Sequence, residues 1–211
     1  AALREFHRRG MARTTLAHIA RAAGVTRGAI YWHFAGKQAL FRAIRESVSL
    51  PLLDRSDLTL LREQAGDPLT RIGAFCKELS RACEEERDTR RAYELMSFKC
   101  EYVGELAAER QAMVVNSDRL RNALESAYRQ ARVQGALRAD IEPAVAALET
   151  LAFLSGLMRL CLLDDGRIRM RVQAAAVIDA HVEARRAHAP SRVELPTRLT
   201  AGPRRRAARA R

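Results

Sequence analysis

Residues 15–40 have the sequence Thr-Leu-Ala-His-Ile-Ala-Arg-Ala-Ala-Gly-Val-Thr-Arg-Gly-Ala-Ile-Tyr-Trp-His-Phe-Ala-Gly-Lys-Gln-Ala-Leu, the pattern of two short helices and a turn. Thr15 is a suitable N-cap for the first helix. Gly24 can adopt the left-handed conformation that ends a helix, and Thr26 can cap the next one. Apolar residues follow Thr15 at helical spacing, at Leu16, Ile19, Ala20 and Ala23. The stretch therefore predicts a helix-turn-helix.

The second of these helices, residues 27–33, has the chemistry that contacts with DNA require. Arg27 can hydrogen-bond guanine or phosphate, and two small residues after it let the helix approach the duplex closely. Three apolar side chains of this segment are expected to pack inward: Val25, Ile30 and Phe34. The predicted DNA contacts are Thr15, Thr26, Arg27, Gly28, Ala29, Tyr31, Trp32, His33 and Lys37. The alternative is a helical hairpin with a solvated basic face.

These residues resemble the DNA-binding domain of TetR-family transcriptional regulators. Residues 24–34, Gly-Val-Thr-Arg-Gly-Ala-Ile-Tyr-Trp-His-Phe, are especially similar to the AcrR-like branch of multidrug-efflux repressors. Residues 99–105, Lys-Cys-Glu-Tyr-Val-Gly-Glu, extend the resemblance to the ligand domain of that branch. The resemblance implies a homodimeric repressor of an efflux operon, bound to a near-palindromic double-stranded operator and released by a small lipophilic or cationic compound. It also implies that part of the first helix and a basic arm are missing before Ala1.

Composition favours an all-α protein, since Gly and Pro are scarce and hydrophobic residues make up 48% of the 211 residues. No apolar run is expected to reach the ~18 residues that a membrane span needs, and no signal peptide is visible, so a cytoplasmic protein is expected. The four cysteines and five histidines show no metal-ligand spacing. Neither a metal nor a cofactor is predicted.

The positive charge is concentrated at the two ends of the chain. Residues 1–50 hold nine Lys or Arg against two Asp or Glu, residues 51–184 hold 19 against 22, and residues 185–211 hold nine against one. A basic segment favours nucleic-acid binding, and a slightly acidic one does not. Together with the resemblance, which implies the roles of the domains, this division predicts a helix-turn-helix domain over residues 1–48, a helical ligand-binding and dimerisation domain over 49–187, and a basic disordered tail over 188–211.

The predicted second domain contains long helices. Hydrophobic periodicity predicts a tether helix over residues 36–53 with a boundary at Pro51, followed by helices over 67–86, 89–103, 106–136, 144–163 and 168–187. Helix 144–163 is apolar on nearly all sides and must be covered all round. The resemblance implies that it dimerises together with helix 168–187 through the four-helix bundle of the family. The alternative is that both helices are the core of a monomer.

A repressor that senses small molecules needs a mostly apolar pocket between the helices of its second domain. The predicted ligand contacts, partly carried over from the resemblance, are Phe75, Leu79, Tyr93, Glu94, Met96, Ser97, Met113, Leu154 and Ser155. Glu94 is the expected partner of a cationic compound. Each of these residues could instead be ordinary core or helix surface.

Other functions find less support in the sequence. An enzyme is disfavoured because the chain contains no phosphate-binding glycine loop, nucleophile elbow or zinc-protease helix. A regulator of another pathway, an activator and a ligand-independent DNA-binding protein remain alternatives to the efflux repressor.

Overall fold

The computed structural model describes residues 1–56, 59–60, 66–164 and 170–187. The first four helices are α1 (Ala2–Arg9), α2 (Leu16–Ala23), α3 (Arg27–His33) and α4 (Lys37–Ser56). The others are α5 (Pro68–Glu85), α6 (Arg87–Phe98), α7 (Ala107–Val133), α8 (Pro143–Leu163) and α9 (Met170–Glu183). Within the described ranges, regular structure is helical except for one isolated antiparallel bridge, and the predicted all-α fold is confirmed.

The turn between α2 and α3 forms for the reasons that the sequence indicates. The Thr15 hydroxyl accepts a hydrogen bond from the His18 N–H at 3.2 Å, and the Thr26 hydroxyl accepts one from the Ala29 N–H at 3.2 Å. Between these caps, Gly24 has φ 68° and ψ 27°, the left-handed conformation that a residue with a Cβ adopts only at a cost. The glycine turn therefore fixes how α3 leaves α2.

Two predicted helix ends are wrong. Pro51 lies inside α4, which continues to Ser56 although an interior proline costs about 3 kcal/mol. α6 ends at Phe98 rather than near residue 103, since Lys99 leaves the helical conformation and Gly104 has φ 53°. The predicted start of the last helix at residue 168 and the predicted tail 188–211 lie outside the described residues.

Buried apolar residues form two clusters, and α6 contributes to the one around the helix-turn-helix. That head cluster contains residues from α1 to α4, such as Phe6, Ile19 and Phe41, together with Ala92, Leu95 and Met96 of α6. The second cluster lies among α5, α7, α8 and α9. Tyr93, also on α6, packs against both clusters. A displacement of α6 therefore reaches both cores.

A polar chain joins α7, α8 and α9 inside the second cluster. The Tyr128 and Thr150 hydroxyl oxygens are 2.7 Å apart, and the Thr150 hydroxyl is 2.9 Å from Nε2 of His181. Burial, helped by the charge of Arg185, lowers the pKa of His181 to about 4. The imidazole is consequently neutral near neutral pH, and this junction does not titrate there.

The α8 helix corrects one expectation from the sequence. By length and composition it could cross a membrane, so the expectation of no sufficiently long apolar run was wrong. Its inner side is buried against α7 and α9, as in the core helix of a globular protein. Its other side and the adjoining α9 expose large apolar residues: Val145, Leu148, Leu160, Leu163 and Val172.

Candidate DNA-binding surface and apolar cavity

The α3 surface consists of the exposed residues of α3 and its N-cap, and it contains most of the predicted DNA contacts. Ile30 is buried in the head cluster and fixes the orientation of the helix. The side chain of Trp32 is 85% exposed and that of Tyr31 is 52% exposed. The other exposed members are Thr26, Arg27, Gly28, Ala29 and His33.

Space around Gly28 is not needed for packing within the protein. A Cβ at this position would meet only the Thr26 hydroxyl oxygen, at 3.8 Å, which is an ordinary contact. The fold therefore gives no steric reason for glycine here, whereas close approach of the α3 backbone to a duplex does. The two capping hydroxyls, of Thr15 and Thr26, accept from backbone N–H groups and keep their own protons for donation to phosphate.

Two residues of this region differ from expectation. Val25 is 46% exposed rather than packed inward, because its N–H bonds to the Ala20 carbonyl at 3.0 Å and the turn holds it at the surface. The ammonium group of Lys37 donates to the Met11 and Ala12 carbonyls at 2.9 and 3.3 Å. Lys37 thus ties α4 to the loop before α2, and its contact with phosphate stays a prediction.

Among the polar contacts that connect the head to the second domain in the described residues, two junctions are centred on Glu94 and Glu109. In the first, Nε2 of His7 lies 2.5 Å from a carboxylate oxygen of Glu94, and the Lys99 ammonium donates to the His7 carbonyl at 2.6 Å. Glu94 also forms an ion pair with Arg90 at 2.9 Å. The guanidinium of Arg90 in turn donates to the Leu162 carbonyl, near the end of α8, at 3.1 Å. This junction runs from α1 through α6 to α8.

The second junction is an ion-pair cluster between α4 and α7. Glu109 is 2% exposed and accepts hydrogen bonds from Arg42 at 2.9 Å and Arg45 at 2.8 Å. Burial alone would raise the pKa of Glu109, but the two guanidinium groups outweigh that effect and hold the pKa below its ordinary value. Glu109 is therefore ionised at neutral pH and anchors the tether helix.

A cavity of about 410 Å³ lies between α4, α5, α6, α7 and α8, and we call it the apolar cavity. It brings together eight of the nine predicted ligand contacts: Phe75, Leu79, Tyr93, Met96, Ser97, Met113, Leu154 and Ser155. The ninth, Glu94, lies outside the lining in the junction described above. Burial raises the pKa of Tyr93, so its phenol stays protonated and can act as a donor.

Several residues of the lining were not predicted: Ser49, Asn116, Ser117, Leu120, Leu151, Met158, Arg159 and Leu162. Most of them could have been found from helical spacing. Residues 116, 117 and 120 follow Met113 at intervals of three, four and seven, and residues 151, 158, 159 and 162 share a face of α8 with Leu154 and Ser155. Ser49 had no such signal, because only the tertiary structure brings α4 to the cavity.

A larger hollow of about 640 Å³ lies on the other side of α6, between α1, the start of α4 and residues 98–106. Its lining is rich in charged groups, including Arg8, Arg13, Lys37 and Lys99. Sites for lipophilic molecules are concave and mostly apolar, so the smaller cavity is the better candidate for a ligand. Among the described residues, no group of His, Cys, Asp and Glu could hold a metal ion.

The chain matches two models of protein families. Residues 1–44 match the N-terminal region of "Bacterial regulatory proteins, tetR family", and residues 67–186 match "MAATS-type transcriptional repressor, C-terminal region". The chain belongs to the TetR family. The resemblance inferred from residues 24–34 is thereby confirmed, and α2 and α3 form the helix-turn-helix of this family.

Relatives of this TetR-family chain place it near efflux regulators. The transcriptional regulator TtgR of Pseudomonas putida is 37% identical over 170 residues, which cover 77% of each chain. SmeT, the repressor of the Stenotrophomonas maltophilia multidrug efflux pump SmeDEF, is 28% identical with a TM-score of 0.74, covering 93% of this chain and 94% of SmeT. NalD, the secondary repressor of the MexAB-OprM multidrug efflux pump in Pseudomonas aeruginosa, is 26% identical with a TM-score of 0.78. The match covers 88% of this chain and 92% of NalD. SmeT has also been solved in complex with triclosan.

Proposed function

We propose that this TetR-family protein is a cytoplasmic, ligand-responsive repressor of a multidrug efflux operon. Its role is regulation rather than catalysis. Two α3 surfaces of a homodimer bind a near-palindromic operator, and a small lipophilic compound in the apolar cavity releases the protein from DNA. The similarity to TtgR, SmeT and NalD supports the efflux operon as the target.

The observation that carries the proposal is the position of α6 between the cavity and the head. Tyr93, Met96 and Ser97 line the cavity, while Leu95 is fully buried in the head cluster and Glu94 contacts His7 of α1. A ligand that displaces the cavity side of α6 therefore also displaces the support of α1 and α4. No separate relay element is required.

The mechanism is a shift between two conformations of the dimer. In one, the heads stand at the spacing of successive major grooves, about 34–36 Å. The ligand prefers the other, in which α6 and the tether helix α4 have moved and the heads no longer match that spacing. A coupling free energy of about 1–3 kcal/mol between the two sites would weaken operator binding several-fold to a hundred-fold.

The dimer in this proposal forms through α8 and α9. The exposed apolar residues of this face, among them Leu148 and Leu160, are the kind of contiguous surface that a partner subunit covers. Pairing the same two helices of each subunit gives a two-fold axis and a four-helix interface. Such symmetry explains why the operator is expected to be near-palindromic.

Fluorescence anisotropy tests the proposal directly. The full chain is titrated onto labelled DNA from upstream of its own gene and onto scrambled DNA of equal length at about 150 mM salt, where electrostatic binding is weakened. Preference for the upstream DNA, lost on addition of one class of lipophilic compound, is the expected result. Equal affinity for both DNAs, unchanged by every compound, would contradict it.

A further inference from the structure

The lining of the apolar cavity contains one charged side chain among the described residues, and it is a cation. Arg159 lies on α8 one helical turn after Ser155. The remaining polar groups of the lining are neutral, namely the side chains of Ser49, Tyr93, Ser97, Asn116, Ser117 and Ser155. No carboxylate of a described residue takes part, so the described part of the lining has a net positive charge.

The guanidinium of Arg159 contacts two described residues, and neither of them carries a carboxylate. Its guanidinium carbon lies 4.6 Å from the centroid of the Phe98 ring, a cation–π arrangement. Its one hydrogen bond to a described residue, to the Ser97 carbonyl, is 3.5 Å long and beyond the usual range. A guanidinium group has five N–H donors. Arg159 is exposed at the edge of the lining, and most of these donors have no partner among the described residues.

We infer that the effector of the apolar cavity is an aromatic or amphiphilic monocarboxylate, whose carboxylate pairs with Arg159 while its apolar body contacts the lining. This inference rests on the proposed function for the role of effector, but the binding preference follows from the cavity alone. The planar fork of arginine matches a carboxylate with two parallel hydrogen bonds. The apolar wall, which includes Phe75, Leu79 and Leu154, receives the rest of the molecule.

Other charge types fit less well. A cationic compound would be repelled by the positive charge of Arg159. Glu94, the residue expected to bind a cation, lies outside the lining and pairs with His7 and Arg90. A phosphate dianion would need more than one cation, and residues 51–184 carry an excess of three acidic groups. A single negative charge on a small apolar body matches one arginine in a cavity of about 410 Å³.

Three compounds with the same naphthalene ring test the inference by isothermal titration calorimetry on the full chain. They are naphthoate, its methyl ester and naphthylmethylammonium, used at about pH 7.5 where the acid and the amine are both ionised. We expect the carboxylate to bind at least about tenfold more tightly than the ester, as a charge-assisted hydrogen bond provides, and the ammonium to bind most weakly. Equal affinity of acid and ester, or tightest binding of the ammonium, would overturn the inference.

Substitutions assign the preference to Arg159. Arg159→Gln should remove the advantage of the acid and leave the affinity of the ester unchanged, whereas Arg159→Glu should turn the preference toward the ammonium. Arg110→Gln, on the exposed surface of α7 and outside the lining, is the matched control and should bind like the original protein. If Arg159→Gln weakened acid and ester equally, the role of Arg159 would be structural and the inference would fail.

The same samples separate this inference from the proposed function. Anisotropy with the upstream DNA reports whether the protein recognises an operator and whether naphthoate releases it. Specific DNA binding together with a preference for the ammonium would retain the repressor and reject the carboxylate. A preference for the acid that depends on Arg159, without specific DNA binding, would retain the cavity chemistry and reject the repressor.

Discussion

At the scale of single residues, Gly28 distinguishes a DNA-contacting helix from a helix that is merely exposed. Gly28→Ala should weaken operator binding about tenfold, because the added methyl group meets the duplex rather than the protein, which offers only the Thr26 hydroxyl at 3.8 Å. It should also stabilise the fold by about 0.5–1 kcal/mol, the usual gain for this change inside a helix. Anisotropy and urea denaturation measure the two effects.

The control for this experiment is Gly73→Ala in α5, far from the α3 surface. A Cβ there would meet Val182 at 3.5 Å, an ordinary contact, so the backbone effect is retained without any change near DNA. Operator affinity of Gly73→Ala should equal that of the original protein. Unchanged affinity of Gly28→Ala would instead mean that the α3 backbone does not approach the duplex closely.

Glu109 gives a pH dependence of defined sign. Its pKa is held below the ordinary 4.5 in the folded protein, so its stabilising contribution is complete above that value and is lost as the pH falls through the lowered pKa. Glu109→Gln should lose about 3–5 kcal/mol at neutral pH, because the buried Arg45 loses its buried anionic partner and keeps only the half-exposed Glu46. Unfolding of both proteins between about pH 6 and pH 3 measures the difference, which should shrink toward the acid end.

If the free energies of unfolding of the two proteins differed by a constant amount at every pH, the carboxylate would not titrate with folding. Glu46, which pairs with Arg45 while its own side chain is 43% exposed, supplies the control. Glu46→Gln should change stability by less than about 1 kcal/mol, as for other exposed ion pairs.

At the scale of elements, α6 is expected to transmit the presence of a ligand through Glu94. Glu94→Gln removes the charged contact with His7 but leaves the cavity lining intact, since Glu94 lies outside it. Ligand affinity measured by calorimetry should therefore stay the same, while the factor by which ligand weakens DNA binding should change about fivefold or more. Glu101→Gln, an exposed acidic residue just beyond α6, should alter neither quantity.

A joint loss of ligand affinity and coupling in Glu94→Gln would show that Glu94 acts on the cavity itself. Unchanged coupling would mean that the junction between α1 and α6 is passive. In that case α4, which contacts the cavity through Ser49 and the head through Leu40 and Phe41, would be the transmitting element.

Elements differ in how far the sequence alone determined them. The caps Thr15 and Thr26 and the turn residue Gly24 act through neighbours in the chain, so the helix-turn-helix could be predicted almost residue by residue. Pro51 predicts a helix boundary by its own chemistry, and the continuation of α4 to Ser56 was not visible in the sequence. Ser49 and the position of Glu94 were missed because both depend on contacts between elements distant in sequence.

In the cavity too, some features follow from the local sequence and others only from contacts between distant elements. Its apolar members lie on helix faces whose periodicity is visible in the sequence, and eight of nine predicted contacts lie together. The charge of the cavity was not predictable from that periodicity. Glu94 is a half-buried residue of α6, and Arg159 is an exposed residue of α8. The orientation of each helix about its own axis leaves Glu94 outside the lining and places Arg159 in it.

At the scale of the whole molecule, operator binding should depend on the exposed apolar face of α8 and α9. Leu148 is 58% exposed in the single chain, and a charged residue there would be buried without a partner in a dimer. Leu148→Arg should therefore produce a folded monomer, detected by light scattering coupled to size-exclusion chromatography. Its operator affinity should fall at least about a hundredfold, because a single head loses the avidity of two linked half-site contacts.

The matched control is Val133→Arg at the end of α7, where the side chain is 87% exposed and lies outside the α8 and α9 face. This variant should remain dimeric and bind the operator normally. A Leu148→Arg protein that stayed dimeric would place the interface on another surface. A monomer that kept full operator affinity would remove the reason for a palindromic operator, because two-fold symmetry of the site has meaning only if two heads bind as one unit.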